Sequence, residues 1–466
     1  MKKSKHTLYF FAAVTAIIAF ILSSGILISC VSPLSWSSYR EDLDTLSAEA
    51  WEKDFSALQT ELLRHKKLQG DTALQSQLKT KVSQAVADIE EAPDSESRRD
   101  RAITAIAAIC ALVGDGHTRI NASPASRYPI ALRFFPVSKS PAETEYELRV
   151  FAASEEYTSL LGGKIAKIGD LTVQEALDIL APAISLESAL AQPGLEDLKR
   201  KAMHAETLEA FMNPYLMRGL GLADGLGIHL SFDTKDSPPA CPPACTVQES
   251  SSAFSWNYAI DPGTPAALSR QRPGEKLWYT IAESHSDTLY LSFQSCDSSA
   301  SPMFDEVIAL LKSSSAPSRL IIDMRTNSGG DSIPGMRFAQ QLADTEVARR
   351  KGGVVILVGP YTFSSALMNA ADILKACGAK GEPDSGNAVL AGQPLIEPMD
   401  HYGEVVRFRL PNSGLVIGRS SKFWEYSKTS GIAPANGFLS PAARYLRAPT
   451  FEEYRSGKDP VLDLVL

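Results

Sequence analysis

Cysteine is scarce in this chain: six in 466 residues, too few to hold a fold of this size as a disulfide scaffold. Histidine is scarce too, with seven residues at 6, 65, 117, 204, 229, 285 and 401. No two lie four apart, so the helical zinc pattern H-E-x-x-H is absent and no metal is expected. The glycine signatures of phosphate loops and dinucleotide folds are missing as well, and no organic cofactor is expected. Positive charge is not in surplus: 46 Lys and Arg against 54 Asp and Glu give −8. With no basic stripe, nucleic acid is an unsuitable partner. What is plentiful is apolar, 44% of the residues, enough for large cores. At about 150 residues per domain the length suggests about three domains.

The N-terminus joins a positive cluster, Lys2, Lys3 and Lys5, to an uncharged and mostly apolar run from Leu8 to Ser29. It ends in Leu27-Ile28-Ser29-Cys30, which resembles the lipobox of bacterial lipoprotein signals, where the Cys thiol carries the lipid. About twenty apolar residues also suffice for an uncleaved anchor helix. Either reading puts the body outside the cytoplasmic membrane, in a bacterial cell envelope.

Beyond it the chain divides into four stretches. Residues 30–127 carry apolar positions at helical spacing and close on Gly114-Asp115-Gly116-His117-Thr118. Residues 128–235 read as a small α+β unit. Residues 236–273, rich in Pro, Ser and Ala, read as a surface insert or linker with weak internal order. Within it Cys241 and Cys245 suggest a local disulfide or a partner across the insert, whereas Cys110 and Cys377 fall in apolar helical patterns. Residues 274–466 alternate strand and helix, which favours parallel strands with helical crossovers.

Three motifs carry the chemistry. Leu320 to Gly330 is a buried strand running into a Gly-rich turn whose N–H groups can face an anion. Val354 to Ala366 runs from strand through turn to helix and puts the Ser364 hydroxyl at a helix start, where free N–H groups stabilise developing negative charge. Taken alone, such a serine is an ordinary helix cap. His117 sits on a tight turn after a helix.

These segments, with HYGEVVRFRLPNSGL and the tail PTFEEYRSGKDPVLDLVL, resemble the tail-specific (C-terminal processing) serine peptidases, in the branch without a recognisable PDZ domain. The resemblance runs in order from about residue 45 to the C-terminus. It implies a crotonase/ClpP-like α/β core in 274–466 and an acyl-enzyme on Ser364. The N–H of Ser365 with that of Gly329 or Gly330 would form the oxyanion hole. It also makes Cys296 a core residue. The lysine that many members use as base is replaced by Pro398. His117 then takes the role of base with Glu425 behind it, and His401 and Lys422 are the alternatives. Peptides or proteins are the implied substrates. The rival expectation, which Pro398 motivates, is an inactive peptidase-like lipoprotein that binds peptides or a protein partner.

Overall fold

The computed structural model describes residues 37–40, 42–140, 145–272, 274–282 and 285–466. The N-terminal apolar run and Cys30 lie outside them. Among the described residues no helix is long and apolar enough to cross a membrane.

Three long helices, Ala48–Leu62, Thr72–Glu90 and Ser95–Ala111, build the first layer. Each begins where a short polar side chain accepts an otherwise orphaned N–H: Ser47 from Ala50, Asp71 from Leu74 and Asp94 from Ser97. Trp51, Phe55, Leu58 and Leu62 recur on one face and are fully buried against residues such as Leu78, Ile89, Ile103 and Ile106. At about 1.5–3 kcal/mol per buried large side chain, this face alone anchors the bundle. The third helix therefore ends at a fixed point, and the turn holding His117 leaves from there.

The α+β unit pairs Ile130–Pro136 with Tyr146–Ala153, and Ile165–Ile168 with Ile228–Phe232. The stretch expected to be an insert of weak order is built into both sheets. Ala244–Val247 pairs with Ile228–Phe232, and Asn257–Tyr258 pairs with Tyr146–Ala153. The periodicity signal failed because these strands are only four and two residues long. The expected disulfide is absent as well: Cys241 and Cys245 are both free thiols, the first buried beside Gly163.

The remaining core is a five-stranded sheet in the order Leu277–Ala282, His285–Phe293, Arg319–Asp323, Val354–Val358, Val389–Gly392. The first pair is antiparallel and the rest are parallel, as the strand and helix alternation requires. Strand Val354–Val358 is buried at every position, so it reads as a continuous apolar run. Helices Ser301–Leu311, Ile333–Leu342 and Ser365–Ala376 cover one face. A long hairpin, Asp400–Arg409 with Val416–Glu425, reaches back to the helical layer. There it takes Arg119–Ile120 as a third strand, with Ile417 opposite Ile120 and Gly418 opposite Arg119. Asp54 locks the hairpin tip by accepting N–H bonds from Asn412 and Ser413 at 2.8 Å each. By this clamp the early His117 turn is carried to the cleft that Gly330 and Ser364 also line.

Candidate active site

Ser364 precedes helix Ser365–Ala376 with φ 56° and ψ −126°, a conformation that a non-glycine residue adopts only when its surroundings enforce it. Two contacts enforce it here. The Ser364 N–H donates a short hydrogen bond to Glu397 Oε2, and the Phe363 N–H donates to the Asn327 carbonyl at 3.0 Å. A sharp strand–turn–helix of this kind lifts a hydroxyl clear of its own backbone. Within the described residues the other non-glycine with positive φ is Glu404, which lines the same cleft.

The cleft has a volume of about 620 Å³ and runs between the helical layer and the core. His117, Gly330, Ser364, Ser365, His401 and Trp424 all line it. The His117 ring packs on Phe363 with centroids 4.6 Å apart. Its Nδ1 lies 3.5 Å from Glu397 Oε1 and 3.6 Å from Asp115 Oδ1. Neither ring nitrogen of His117 makes a hydrogen bond among the described residues, and Glu397 Oε1 is buried without one. Ser364, Glu397 and His117 thus form a contiguous set, joined through the two oxygens of one carboxylate.

The turn beneath His117 is held by acids. Asp115 accepts from the His117 N–H at 3.0 Å, the Thr118 hydroxyl at 2.5 Å and His65 Nε2 at 3.1 Å. Glu187 accepts from the Gly116 N–H at 2.8 Å. Burial works against ionisation of Asp115, but hydrogen bonds from His117, His65 and Thr118 outweigh it and hold the carboxyl well below its usual range. Burial, together with the charge on Asp115, pushes Glu187 up to about 8. Burial likewise drives Glu397 well above the usual carboxylate range, with Glu187 adding to the effect.

Glycines make the approach possible. A Cβ on Gly329, whose φ is 97°, would lie 2.8 Å from Ser364 Cβ and 2.9 Å from the Phe363 carbonyl oxygen. A Cβ on Gly330, φ 133°, would lie 2.0 Å from the Cys296 carbonyl oxygen. Gly329→Ala should consequently displace Ser364, lower turnover by about 10²-fold and also lower the thermal midpoint, read by steady-state kinetics beside a melting curve. The two glycines differ in one respect. The Gly329 N–H is already donated to Asn327 Oδ1 at 3.0 Å, whereas those of Gly330 and Ser365 make no hydrogen bond among the described residues. Of the pair Gly329 and Gly330, only the latter has a donor to spare.

Two of the three other candidates, Glu425 and Lys422, sit outside the lining of the cleft, whereas His401 belongs to it. Glu425, at the end of its strand, is ion-paired with Lys428 on an exposed surface, so it does not stand behind His117. Lys422 lies with its Nζ 3.1 Å from the Trp424 ring centre. His401 is buried, and its Nδ1 lies 3.1 Å from the carbonyls of both Pro398 and Met399, so that nitrogen carries the proton. Its Nε2 is 3.9 Å from Glu397 Oε1. Cys296 is buried, as expected, with its Sγ 3.4 Å from Asn369 Oδ1. The carboxylate that sequence reasoning missed is Glu397. A signal existed: Leu395-Ile396-Glu397-Pro398-Met399 places one acid in an otherwise apolar run, and it is fully buried.

Burial lowers His401 from 6.5 to about 4, and His117 beside it adds to the effect. Below pH 6.5 the unfolded chain then binds a proton that the folded one refuses, so this residue's contribution is lost as pH falls from about 6.5 towards 4. Glu187 acts in the opposite sense between pH 8 and 4.5, since its folded form keeps the extra proton. His401→Asn retains a donor for the two carbonyls but does not titrate. It should reduce the loss of stability between pH 6.5 and 5 by about 2 kcal/mol, read from urea midpoints.

No protein-family model and no curated protein matches the sequence. Among solved structures, mature CPAF in complex with lactacystin matches with a TM-score of 0.50 at 14% identity, covering 90% of this chain and 97% of that one. The photosystem II D1 C-terminal processing protease aligns over 88% of this chain and 98% of its own, at 13% identity and a TM-score of 0.37. The fold is thus shared with mature CPAF, and the mixed α/β architecture that the motifs imply is the one this chain has.

Proposed function

We propose that this protein is a serine peptidase that cleaves peptide bonds through an acyl-enzyme on Ser364. The observation that carries the reading is the enforced positive φ of Ser364 in a cleft where one buried carboxylate touches both its backbone and His117. A serine hydroxyl needs a neighbouring base to attack a carbonyl at neutral pH. His117 takes that proton on Nε2 while Glu397 holds its Nδ1–H, and it later returns the proton to the leaving amine. The N–H groups of Gly330 and Ser365 receive the oxyanion, each worth about two to three orders of magnitude in rate. Water then hydrolyses the ester.

The coarse α/β class is extended here to a crotonase/ClpP-like core in residues 274–466. The proposal also puts the mature chain outside the cytoplasmic membrane, held by lipid on Cys30. Cys30→Ser should then abolish incorporation of a labelled fatty acid. The rival reading, a scaffold that binds peptides without turnover, rests on Pro398 standing where many relatives carry lysine. A fluorophosphonate probe separates the two. Peptide mapping should locate the adduct on Ser364, whereas a folded protein that takes no label at this residue would be a binding scaffold.

A further inference from the structure

A second cavity, of about 370 Å³, lies on the other side of the loop that bears the nucleophile. Gly359, Pro360 and Tyr361 line it, while Phe363, Ser364 and Ser365 line the first cleft. Its charges do not balance. Eight Lys and Arg side chains border it against three carboxylates, and those three are already engaged. Asp323 and Asp459 are both held by Arg325, at 2.6 and 2.8 Å, and Glu275 faces Arg272 at 3.4 Å. Of the cations, Lys201 pairs with Asp197 and Arg447 with Glu453, outside the cavity. Arg133, Arg270, Lys276 and Lys458 have no carboxylate partner among the described residues.

Arg270 is the clearest case. Its Nε and Nη2 are shielded from solvent and make no hydrogen bond. Its guanidinium lies 4.9 Å from the centre of the Tyr454 ring, and that of Arg133 lies 5.7 Å from the same centre. Stacking orients both planar groups but satisfies none of their N–H donors. Burial lowers the proton affinity of Arg270; Tyr454 and Asp459 nearby oppose this, and the charges of Arg133 and Arg325 add to it. Unpaired buried guanidinium donors are costly, and two forks on one ring present the donor pattern that carboxylates and phosphates accept. A peptide's terminal carboxylate brings a single charge, which one fork satisfies. Four unpaired cations fit a multiply charged anion better.

We propose that this cavity binds a small, multiply charged oxyanion, either a phosphate compound or a polycarboxylate, on the paired guanidinium groups of Arg133 and Arg270. The site stands independently of the peptidase reading, because its measure is binding. Titration calorimetry on the full chain, with pyrophosphate and citrate as probes, distinguishes the two sources of the anion. Saturable binding of one or both is expected, weakening as NaCl rises and by at least about tenfold in Arg270→Gln and in Arg133→Gln. Lys276→Ala, at an exposed position that does not threaten folding, should weaken binding by a smaller factor. The proposal is overturned if neither anion binds saturably at millimolar concentration, or if affinity is unchanged in all three variants. Tighter binding of a peptide with a free C-terminus than of both anions, lost on amidation, would also overturn it and assign the cavity to a chain end.

Discussion

Ser364→Ala should lower the turnover of a cleavable peptide by about six orders of magnitude while leaving the fold in place. The variant is clean for a structural reason. The hydrogen bond to Glu397 comes from the Ser364 backbone, not its hydroxyl, so alanine keeps the contact that imposes the elbow. Alanine also suffers no more than serine from φ 56°, and stability should move by less than about 1 kcal/mol. What disappears is the oxygen proposed to attack. Ser365→Ala is the matching control. It removes a side-chain bond of 2.7 Å to the Gly330 carbonyl but keeps the N–H assigned to the oxyanion hole. Its loss should be far smaller. Single-turnover cleavage with near-UV circular dichroism reads both effects. Cleavage persisting in Ser364→Ala above roughly a thousandth of the wild-type rate would put the nucleophile elsewhere.

Glu397→Gln should cost about 10⁴-fold in kcat, and Glu425→Gln close to nothing. The asymmetry of Glu397 explains the size. One of its oxygens must accept the Ser364 N–H, so a glutamine there keeps its carbonyl on Ser364 and turns its amide towards His117 Nδ1. An amide donor at Nδ1 fixes the imidazole with its proton on Nε2, where it cannot accept one from serine. Asp115 offers little rescue, because both its oxygens already receive donors from His117, Thr118 and His65. Glu425 pairs with Lys428 at the surface and touches none of this. Equal losses in the two glutamine variants would remove Glu397 from the mechanism. His117→Ala should fall as far as Ser364→Ala, since a nucleophile and its base act as a unit.

The sequence by itself determined the local pieces. Capping residues and an apolar stripe specified the three helices, and uninterrupted apolar runs specified the buried strands. Strand-to-turn spacing marked Ser364, Gly329 and Gly330, because the proposed nucleophile and oxyanion donors come from short contiguous segments whose backbone geometry is written in adjacent residues. His117 was legible for the same reason, as a turn after a helix. The tertiary structure decided which groups meet. Glu397 reaches His117 across about 280 intervening positions, through a hairpin that takes Arg119–Ile120 as its third strand, and no local pattern encodes that pairing. Glu425 looked suitable by distance along the chain, yet its strand delivers it to solvent. Short strands in the Pro- and Ser-rich stretch stayed hidden because two to four residues carry no period. They are stabilised by the neighbours they pair with, and those are known only once the chain has folded.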